Sequence, residues 1–215
     1  MITAIFDLDG TLADTLEDLA DATNYSLKAL GYPVHPYESY KMFVGNGVPK
    51  LCFRALPDEH KDDTDRLIKI FSEYYNEHFL DKTKLYPGIY DMMKRLDEKG
   101  IIFAVATNKP QNFAVKIVEK LLSEFRFTKI LGGCNEREKK PDPAIIREIL
   151  GDSYDHDSAF MIGDSNVDIL TAQNSGIRSI GCAWGFRGEA ELIRAGADFI
   201  AITADDVADH ILKCL

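Results

Sequence analysis

No stretch of the 215-residue sequence approaches the roughly 20 consecutive apolar residues that a membrane-spanning helix requires, so no membrane partner is expected. The opening residues, Met1-Ile2-Thr3-Ala4-Ile5-Phe6-Asp7, lack a basic leading segment and meet a carboxylate too early for a secretion signal. Cysteine is sparse. Cys52, Cys134, Cys182 and Cys214 are scattered, with no CxxC pair and no metal-ligand spacing; without a secretion signal, free thiols are expected rather than a disulfide framework. A reduced, cytoplasmic protein is the corresponding expectation. The histidines (His35, His60, His78, His156 and His210) form no cluster and adjoin no motif, so they are read as surface or packing residues. Positive charge is in deficit: 25 Lys+Arg stand against 35 Asp+Glu, a formal charge of −10. Such a surface repels phosphate backbones, which excludes nucleic acid and anionic membrane as main partners and leaves any phosphate binding to a local site. There is no internal repeat or low-complexity segment, and 46% hydrophobic with 28% charged residues is the composition of an ordinary folded chain.

Short, nearly continuous apolar runs recur at Ile2–Phe6, Ile101–Ala106, Lys129–Leu131, Ala159–Ile162 and Ser179–Ala183. Runs of this kind without alternation suit strands covered on both faces, as in a parallel sheet. Between them lie helical stripes, Ala114, Val115, Val118, Leu121, Leu122 and Phe125 in one, and Ile145, Ile146, Ile149 and Leu150 in another. The alternation predicts an α/β fold with a doubly wound, Rossmann-like parallel sheet. The first crossover departs from this rhythm, because the long segment before Pro87-Gly88 is helical throughout. One helix is predicted from Asp14, with Asp14-x-x-Glu17 as a capping box, Leu16, Leu19, Ala20, Thr23, Leu27 and Leu30 on one face, and a stop at Gly31. Another is predicted from Thr64 to Phe79. The chain therefore divides into a core, residues 1–13 and 84–215, and an inserted helical cap, residues 14–83. Ligands of α/β sheets bind beyond the strand C-termini, and the cap follows the first of these.

Asp7-Leu8-Asp9-Gly10-Thr11 follows the first strand, and residues two apart in extended backbone project alike, so Asp7 and Asp9 both point off the sheet end. The same residues also suit a plain turn with a helix cap. Ile162-Gly163-Asp164-Ser165-Asn166-Val167-Asp168 follows another apolar run, and a helix starting near Ser165 puts Asp164 and Asp168 about one turn apart. Helix capping is the other use for this pair. Carboxylates gathered at one edge repel, and a hard divalent cation, most simply Mg2+, relieves the conflict. At the end of a third strand, Thr107-Asn108-Lys109 offers a hydroxyl and backbone N–H groups to a phosphate oxygen, or a helix cap. Lys139-Lys140-Pro141-Asp142-Pro143 is a loop fixed by its prolines, able to aim a lysine inward or leave both in solvent. In the cap segment, Gly45-Asn46-Gly47 permits close approach to a ligand or makes an ordinary turn. Lys50 and Arg54, four apart on a predicted helix, offer cations to a small substrate's carboxylate or form a solvated face.

Acid pair, small hydroxyl, lysine and acid pair, in this order at strand ends, resemble the motifs of the haloacid dehalogenase superfamily over essentially the whole chain. Asp7-Leu8-Asp9-Gly10-Thr11-Leu12 is similar to its first motif, Thr107 to its second, Lys140 to its third and Gly163–Asp168 to its fourth. The cap stretch Gly45-Asn46-Gly47 with Arg54-Ala55-Leu56, and Trp184-Gly185-Phe186-Arg187 near the end, resemble the phosphoglycolate phosphatase branch. The resemblance implies a Mg2+-dependent phosphatase acting on a small phosphorylated metabolite, with 2-phosphoglycolate foremost. It implies Asp7 as nucleophile and Asp9 as general acid and base. Thr107, Asn108 and Lys140 would bind the phosphate. Asp7, Asp9, Asp164 and Asp168 would serve the metal, and Gly45, Asn46, Gly47 and Arg54 the leaving group. A phosphomutase of the β-phosphoglucomutase type, or a pyrophosphatase or nucleotidase, shares these motifs. A non-catalytic phospho-signalling module explains the acidic pocket but neither the DxD nor the insertion. A monomer and a cap-mediated homodimer fit equally, and crossings near Ala13-Asp14 and Thr83–Pro87 are expected to let the cap open and close.

Overall fold

Strand β1 (Thr3–Phe6) is buried along its whole length and lies inside the sheet, as its uninterrupted apolar sequence requires. The structure, a computed structural model, describes residues 2–215. The cap begins at β2 (Ala13–Asp14), α1 (Leu16–Ala29), α2 (Tyr37–Phe43), α3 (Val48–Ala55) and α4 (Thr64–His78), and the chain returns through β3 (Lys84–Leu85). The core continues with α5 (Ile89–Asp97), β4 (Ile102–Pro110), α6 (Gln111–Leu121), β5 (Phe127–Gly133), α7 (Ala144–Leu150), β6 (Ala159–Gly163) and α8 (Asn166–Ser175). It closes with β7 (Arg178–Cys182), α9 (Glu189–Ala195), β8 (Phe199–Ala201) and α10 (Ala204–Leu212). The main sheet has the order β5-β4-β1-β6-β7-β8, and all its pairings are parallel. This is the doubly wound α/β arrangement expected from the apolar runs.

Alternation along β1 divides the core between two faces. Ala4 and Phe6 pack in one apolar cluster with Met93 of α5, Ile117 of α6 and Val207 of α10, whereas Ile5 packs in another with Ile146 of α7 and Ala172 of α8. Register then sets the site. Phe6 pairs with Val105 on one side and Ile162 on the other, so the residues that follow, Asp7, Thr107 and Asp164, leave the sheet along one C-terminal edge.

The insertion has an apolar cluster of its own, in which Leu27, Tyr40, Leu67 and Phe71 are fully buried and Phe71 stacks on Tyr75 at 5.1 Å. Phe113 of α6 reaches from the core into this cluster, meeting Tyr75 at 4.9 Å and Phe79 at 5.5 Å. The crossings form a small antiparallel pair, Ala13 against Leu85 and Asp14 against Lys84. Beside them the buried Asp18 carboxylate accepts Thr83 N at 2.9 Å, Thr83 Oγ1 at 2.7 Å and Lys82 N at 3.1 Å, satisfying backbone donors of the returning chain.

The pairing of Asp14 with Lys84 corrects the predicted helix start. Asp14 is held in extended backbone, α1 begins at Leu16 after Thr15, and no capping box with Glu17 forms. The other end is as expected, with Gly31 in the left-handed region at φ 79°. Strand β8, too short for a recognisable apolar run, extends the sheet beyond the expected strands. All four cysteines are free thiols, and among the described residues no helix is long and apolar enough to cross a membrane.

Candidate active site

Asp7 sits one residue past β1, its N–H donating to Ile162 O at 2.8 Å, so the sheet ladder itself fixes its backbone. The chain then turns tightly, with Leu8 O accepting from the N–H groups of Thr11, Leu12 and Ala13. Gly10 occupies the turn at φ 85°, and a Cβ there would lie 2.3 Å from Asp164 Oδ2. Only glycine lets this turn close against Asp164. Asp164 Oδ2 accepts Phe186 N at 2.7 Å, and a Cβ on the neighbouring Gly185 would fall 2.2 Å from the Asp164 Cβ. The loop after β7 is thus part of the site.

Asp168 lies in the first turn of α8, where it forms a capping box with Ser165: its Oδ2 accepts Ser165 N at 3.1 Å and Ser165 Oγ at 2.7 Å. Its Oδ1 accepts Lys140 Nζ at 2.5 Å, so capping and site construction use the same side chain. Lys140 Nζ also lies 3.1 Å from Asp7 Oδ1. Lys140 is placed by Asn108, whose Oδ1 accepts Lys140 N at 2.9 Å and whose Nδ2 donates to Lys140 O at 3.1 Å and Gly45 O at 3.2 Å. The Asn108 side chain therefore ties the end of β4, the loop after β5 and the cap together, and only its main chain is left to face a phosphate. Thr107 is buried beside Asp7.

Asp7, Asp164 and Asp168 are all buried and bring carboxylate oxygens within 4.8 Å of one another. Burial pushes Asp7 up to about 6, with Lys140 and the Thr107 hydroxyl opposing and Asp168 and Asp9 adding to the rise. Burial, then Asp168 and Asp7, hold Asp164 well above the usual carboxylate range. Burial works against the Lys140 ammonium too, but Asp168 and Asp7 outweigh it and keep it charged. One ammonium among three buried carboxylates leaves negative charge unmatched. Asp7 Oδ1, although near Lys140, has no hydrogen-bond partner of acceptable geometry. An all-oxygen donor set carrying more carboxylate charge than its one lysine offsets fits a hard divalent cation. Asp164 is the more loosely held of the helix-start pair, with Phe186 N at 2.7 Å on Oδ2 and only a 3.5 Å contact from Thr11 Oγ1 on Oδ1, whereas both oxygens of Asp168 are engaged by Ser165 and Lys140.

A metal held there is expected to raise the melting temperature of EDTA-treated protein by about 5–10 °C at roughly 100 times its Kd. Asp164→Asn should lose most of that rise, read by thermal denaturation with and without Mg2+; an undiminished rise would place the metal elsewhere.

Asp9 turns toward the cap. Its Oδ1 accepts Thr15 Oγ1 at 2.7 Å and Lys109 Nζ at 2.9 Å, and Lys109 Nζ lies 2.8 Å from Tyr75 Oη of α4. Burial opposes the Lys109 charge, but Asp9 and Tyr75 raise its pKa above the ordinary lysine value. Thr15 and Tyr75 have no site role in the sequence reading, and Lys109 figures there only as part of the Thr107-Asn108-Lys109 strand end. For Lys109 a signal existed, since in extended backbone it projects on the same side as Thr107; for Tyr75 none did, because its role depends on how the cap is seated.

The structure brings Asp7, Asp9, Thr107, Asn108, Lys140, Asp164 and Asp168 to one edge, and Gly45 and Gly47 line the cleft above Asp7. Arg54 and Asn46 are not among the residues lining the cleft above Asp7. The Arg54 guanidinium donates to Asn46 Oδ1 at 2.7 Å and Phe43 O at 2.9 Å, bracing the α2–α3 loop, and both residues line an adjoining open cleft with Lys50 and Lys139 that shares Asn108 and Lys140 with the site. Arg187, from the loop after β7, donates to Val44 O at 2.9 Å and holds the same loop from the core side.

Buried carboxylates with a paired lysine, gathered where parallel strands end beneath a helical cap, define a hydrolase of the phosphoryl-transfer class. Residues 4–182 match the family model of the haloacid dehalogenase-like hydrolases. Two relatives are phosphoglycolate phosphatases: one from Vibrio parahaemolyticus, 32% identical over 96% of this chain and 94% of its own, and one from Psychrobacter arcticus, 36% identical over 97% and 95%. A crystal structure from Lactobacillus delbrueckii subsp. bulgaricus, provisionally assigned as a phosphoglycolate phosphatase, superposes with a TM-score of 0.89 at 33% identity, covering 97% of each chain. The chain belongs to the haloacid dehalogenase-like hydrolase family. It is a phosphatase of that family, and its fold is that of the phosphoglycolate phosphatase-like members.

Proposed function

We propose that the protein is a Mg2+-dependent phosphatase of small phosphorylated metabolites, 2-phosphoglycolate foremost, working through an aspartyl-phosphate on Asp7. The observation that carries this reading is the gathering of the buried Asp7, Asp164 and Asp168 carboxylates, with oxygens within 4.8 Å of one another, beside buried Thr107 and the single ammonium of Lys140. The names of the relatives support the substrate.

Mg2+ held by the Asp7 and Asp164 carboxylates and the Asp9 main-chain carbonyl, with Asp168 behind, would neutralise charge on the transferring phosphoryl group. Asp7 attacks phosphorus, forming an oxygen–phosphorus bond while the bond to the leaving oxygen breaks. Asp9 gives its proton to that departing oxygen. It then takes a proton from the water that attacks the aspartyl-phosphate, which frees inorganic phosphate and regenerates Asp7. Lys140 and the Thr107 hydroxyl hold the phosphoryl oxygens, together with the main chain of Asn108. Residues 1–13 and 84–215 act as the catalytic body and residues 14–83 as a cap that moves on the β2–β3 pair to exclude bulk water.

Phosphate release from p-nitrophenyl phosphate and from a panel of small phosphorylated metabolites, compared by kcat/KM, tests the proposal. Release that requires Mg2+, stops with EDTA and is highest for 2-phosphoglycolate is expected. Isomerisation of glucose 1-phosphate in the presence of its bisphosphate, without phosphate release, would replace the reading by a mutase.

A further inference from the structure

The cleft above Asp7 and Asp9 is walled on the cap side by Leu19, Val44, Val48 and Leu51, all apolar, with the Tyr75 hydroxyl among them. Lys109 carries the one cationic side chain among the described residues lining it. Arg54 and Lys50 line the adjoining cleft, which shares Asn108 and Lys140 with the site, and are absent from the lining of the cleft above Asp7, while Lys140, between Asp7 and Asp168, is the cation for the phosphoryl group. Lys109 is 4% exposed, and its Nζ has Asp9 Oδ1 at 2.9 Å, Asp9 Oδ2 at 3.3 Å and Tyr75 Oη at 2.8 Å.

We propose that Lys109, oriented by Tyr75, is the residue that selects leaving groups carrying a negative charge next to the scissile oxygen. The proposal rests on the phosphatase reading above and deepens it. A group that protonates the leaving oxygen must come within about 2.6–3.2 Å of it. The Lys109 ammonium is at hydrogen-bond distance from that same carboxylate, so an anion borne on the carbon next to the leaving oxygen falls within its reach. A carboxylate at this position, as in 2-phosphoglycolate, takes a place on the ammonium beside Asp9. An alkyl tail of equal length gives the buried cation nothing, and apart from the Tyr75 hydroxyl the cap side of the wall is apolar. A carboxylate that accepts from a buried ammonium gains a charge-assisted hydrogen bond, worth about ten- to a hundredfold in affinity. Specificity for the charged tail thus comes from the C-terminal end of β4 and from α4, not from the arginine of α3.

The test compares kcat/KM for 2-phosphoglycolate with that for ethyl phosphate, which replaces the carboxylate by a methyl group, using the full-length protein with Mg2+. The wild type is expected to prefer 2-phosphoglycolate. Lys109→Met should slow both substrates, because Asp9 loses its partner, but should reduce the preference by about ten- to a hundredfold, mostly through KM. Lys109→Arg should retain part of it. Tyr75→Phe, which keeps the ring in the cap cluster, should reduce the preference by a smaller factor in the same direction, and it decides the matter if Lys109→Met does not fold. An equal fall on both substrates, or a wild type without preference, overturns the inference. Continued release from p-nitrophenyl phosphate in that case leaves the phosphatase reading standing, whereas no release from any ester ends both.

Discussion

Replacing Asp7 by Asn is expected to lower kcat for phosphate release by about 10⁴-fold or more while the protein stays folded. The backbone of Asp7 is fixed by its N–H bond to Ile162 O and by the β1 ladder, neither of which involves the side chain. Asn has nearly the same shape, and Lys140 keeps Asp168 as its partner. What disappears is the anionic oxygen that attacks phosphorus. Metal-free Asp7→Asn protein should be more stable than metal-free wild type at neutral pH, because a buried charge among like charges has been removed. The folded Asp7 has its pKa raised from 3.8 to about 6, so it binds its proton more tightly than the unfolded chain does. Its contribution to stability is therefore present at low pH and is lost as pH rises through about 4 to 6, and the variant should lack that decline. Thermal denaturation in EDTA across this range reads the stability, and phosphate release with Mg2+ reads the rate. Substantial turnover by the folded variant would exclude Asp7 as the nucleophile.

Asp9→Asn should separate substrates by their leaving groups. For an alkyl phosphate the departing alkoxide is strongly basic and needs a proton as it leaves, so a loss of about 10²–10⁴-fold is expected. For p-nitrophenyl phosphate the departing phenolate is stable without a proton, and the first step should suffer much less. The second step still needs a base, so some loss remains for both. The side-chain oxygen of Asn can continue to accept from Thr15 Oγ1 and Lys109 Nζ, which hold Asp9 in place at 2.7 and 2.9 Å. The variant thus tests proton transfer more than position. Equal losses on the two substrates would remove the acid role and leave Asp9 as a partner of Lys109 alone.

Most of the site's chemistry could be read from the chain because each motif is local. Asp7 and Asp9 follow an apolar strand and Asp164 and Asp168 straddle a helix start, which places all four at one sheet edge, although the tight turn after Asp7 aims Asp9 toward Thr15 and Lys109 and not alongside Asp7. Capping and function were offered as rival explanations of Asp168, yet the structure joins them: one oxygen closes the box with Ser165 and the other takes Lys140. The misplaced start of α1 has a different origin. Asp14 carries the signal of a helix cap, but its pairing partner, Lys84, lies across the whole insertion, and no local pattern reveals that contact. Strand β8 escaped notice because a three-residue strand is stabilised by its place beside β7 more than by its own composition.

The cap marks the limit. Helical spacing put Lys50 and Arg54 on one face and suggested Arg54 as the reader of a substrate carboxylate, while Lys109 passed as a neighbour of Thr107. Which cation enters the cleft depends on how the four cap helices seat on the sheet, through Phe113 against Tyr75 and Phe79 and through Arg187 on the Val44 carbonyl. Those contacts join residues far apart in sequence, and their geometry follows from packing two apolar clusters together, so tertiary structure alone turned Arg54 toward the α2–α3 loop and Lys109 toward Asp9. From the amino-acid order by itself came the parallel sheet and the acidic edge, because strand periodicity and turn residues dictate those over a few neighbouring positions; the choice of Lys140 over Lys139 came from the family resemblance.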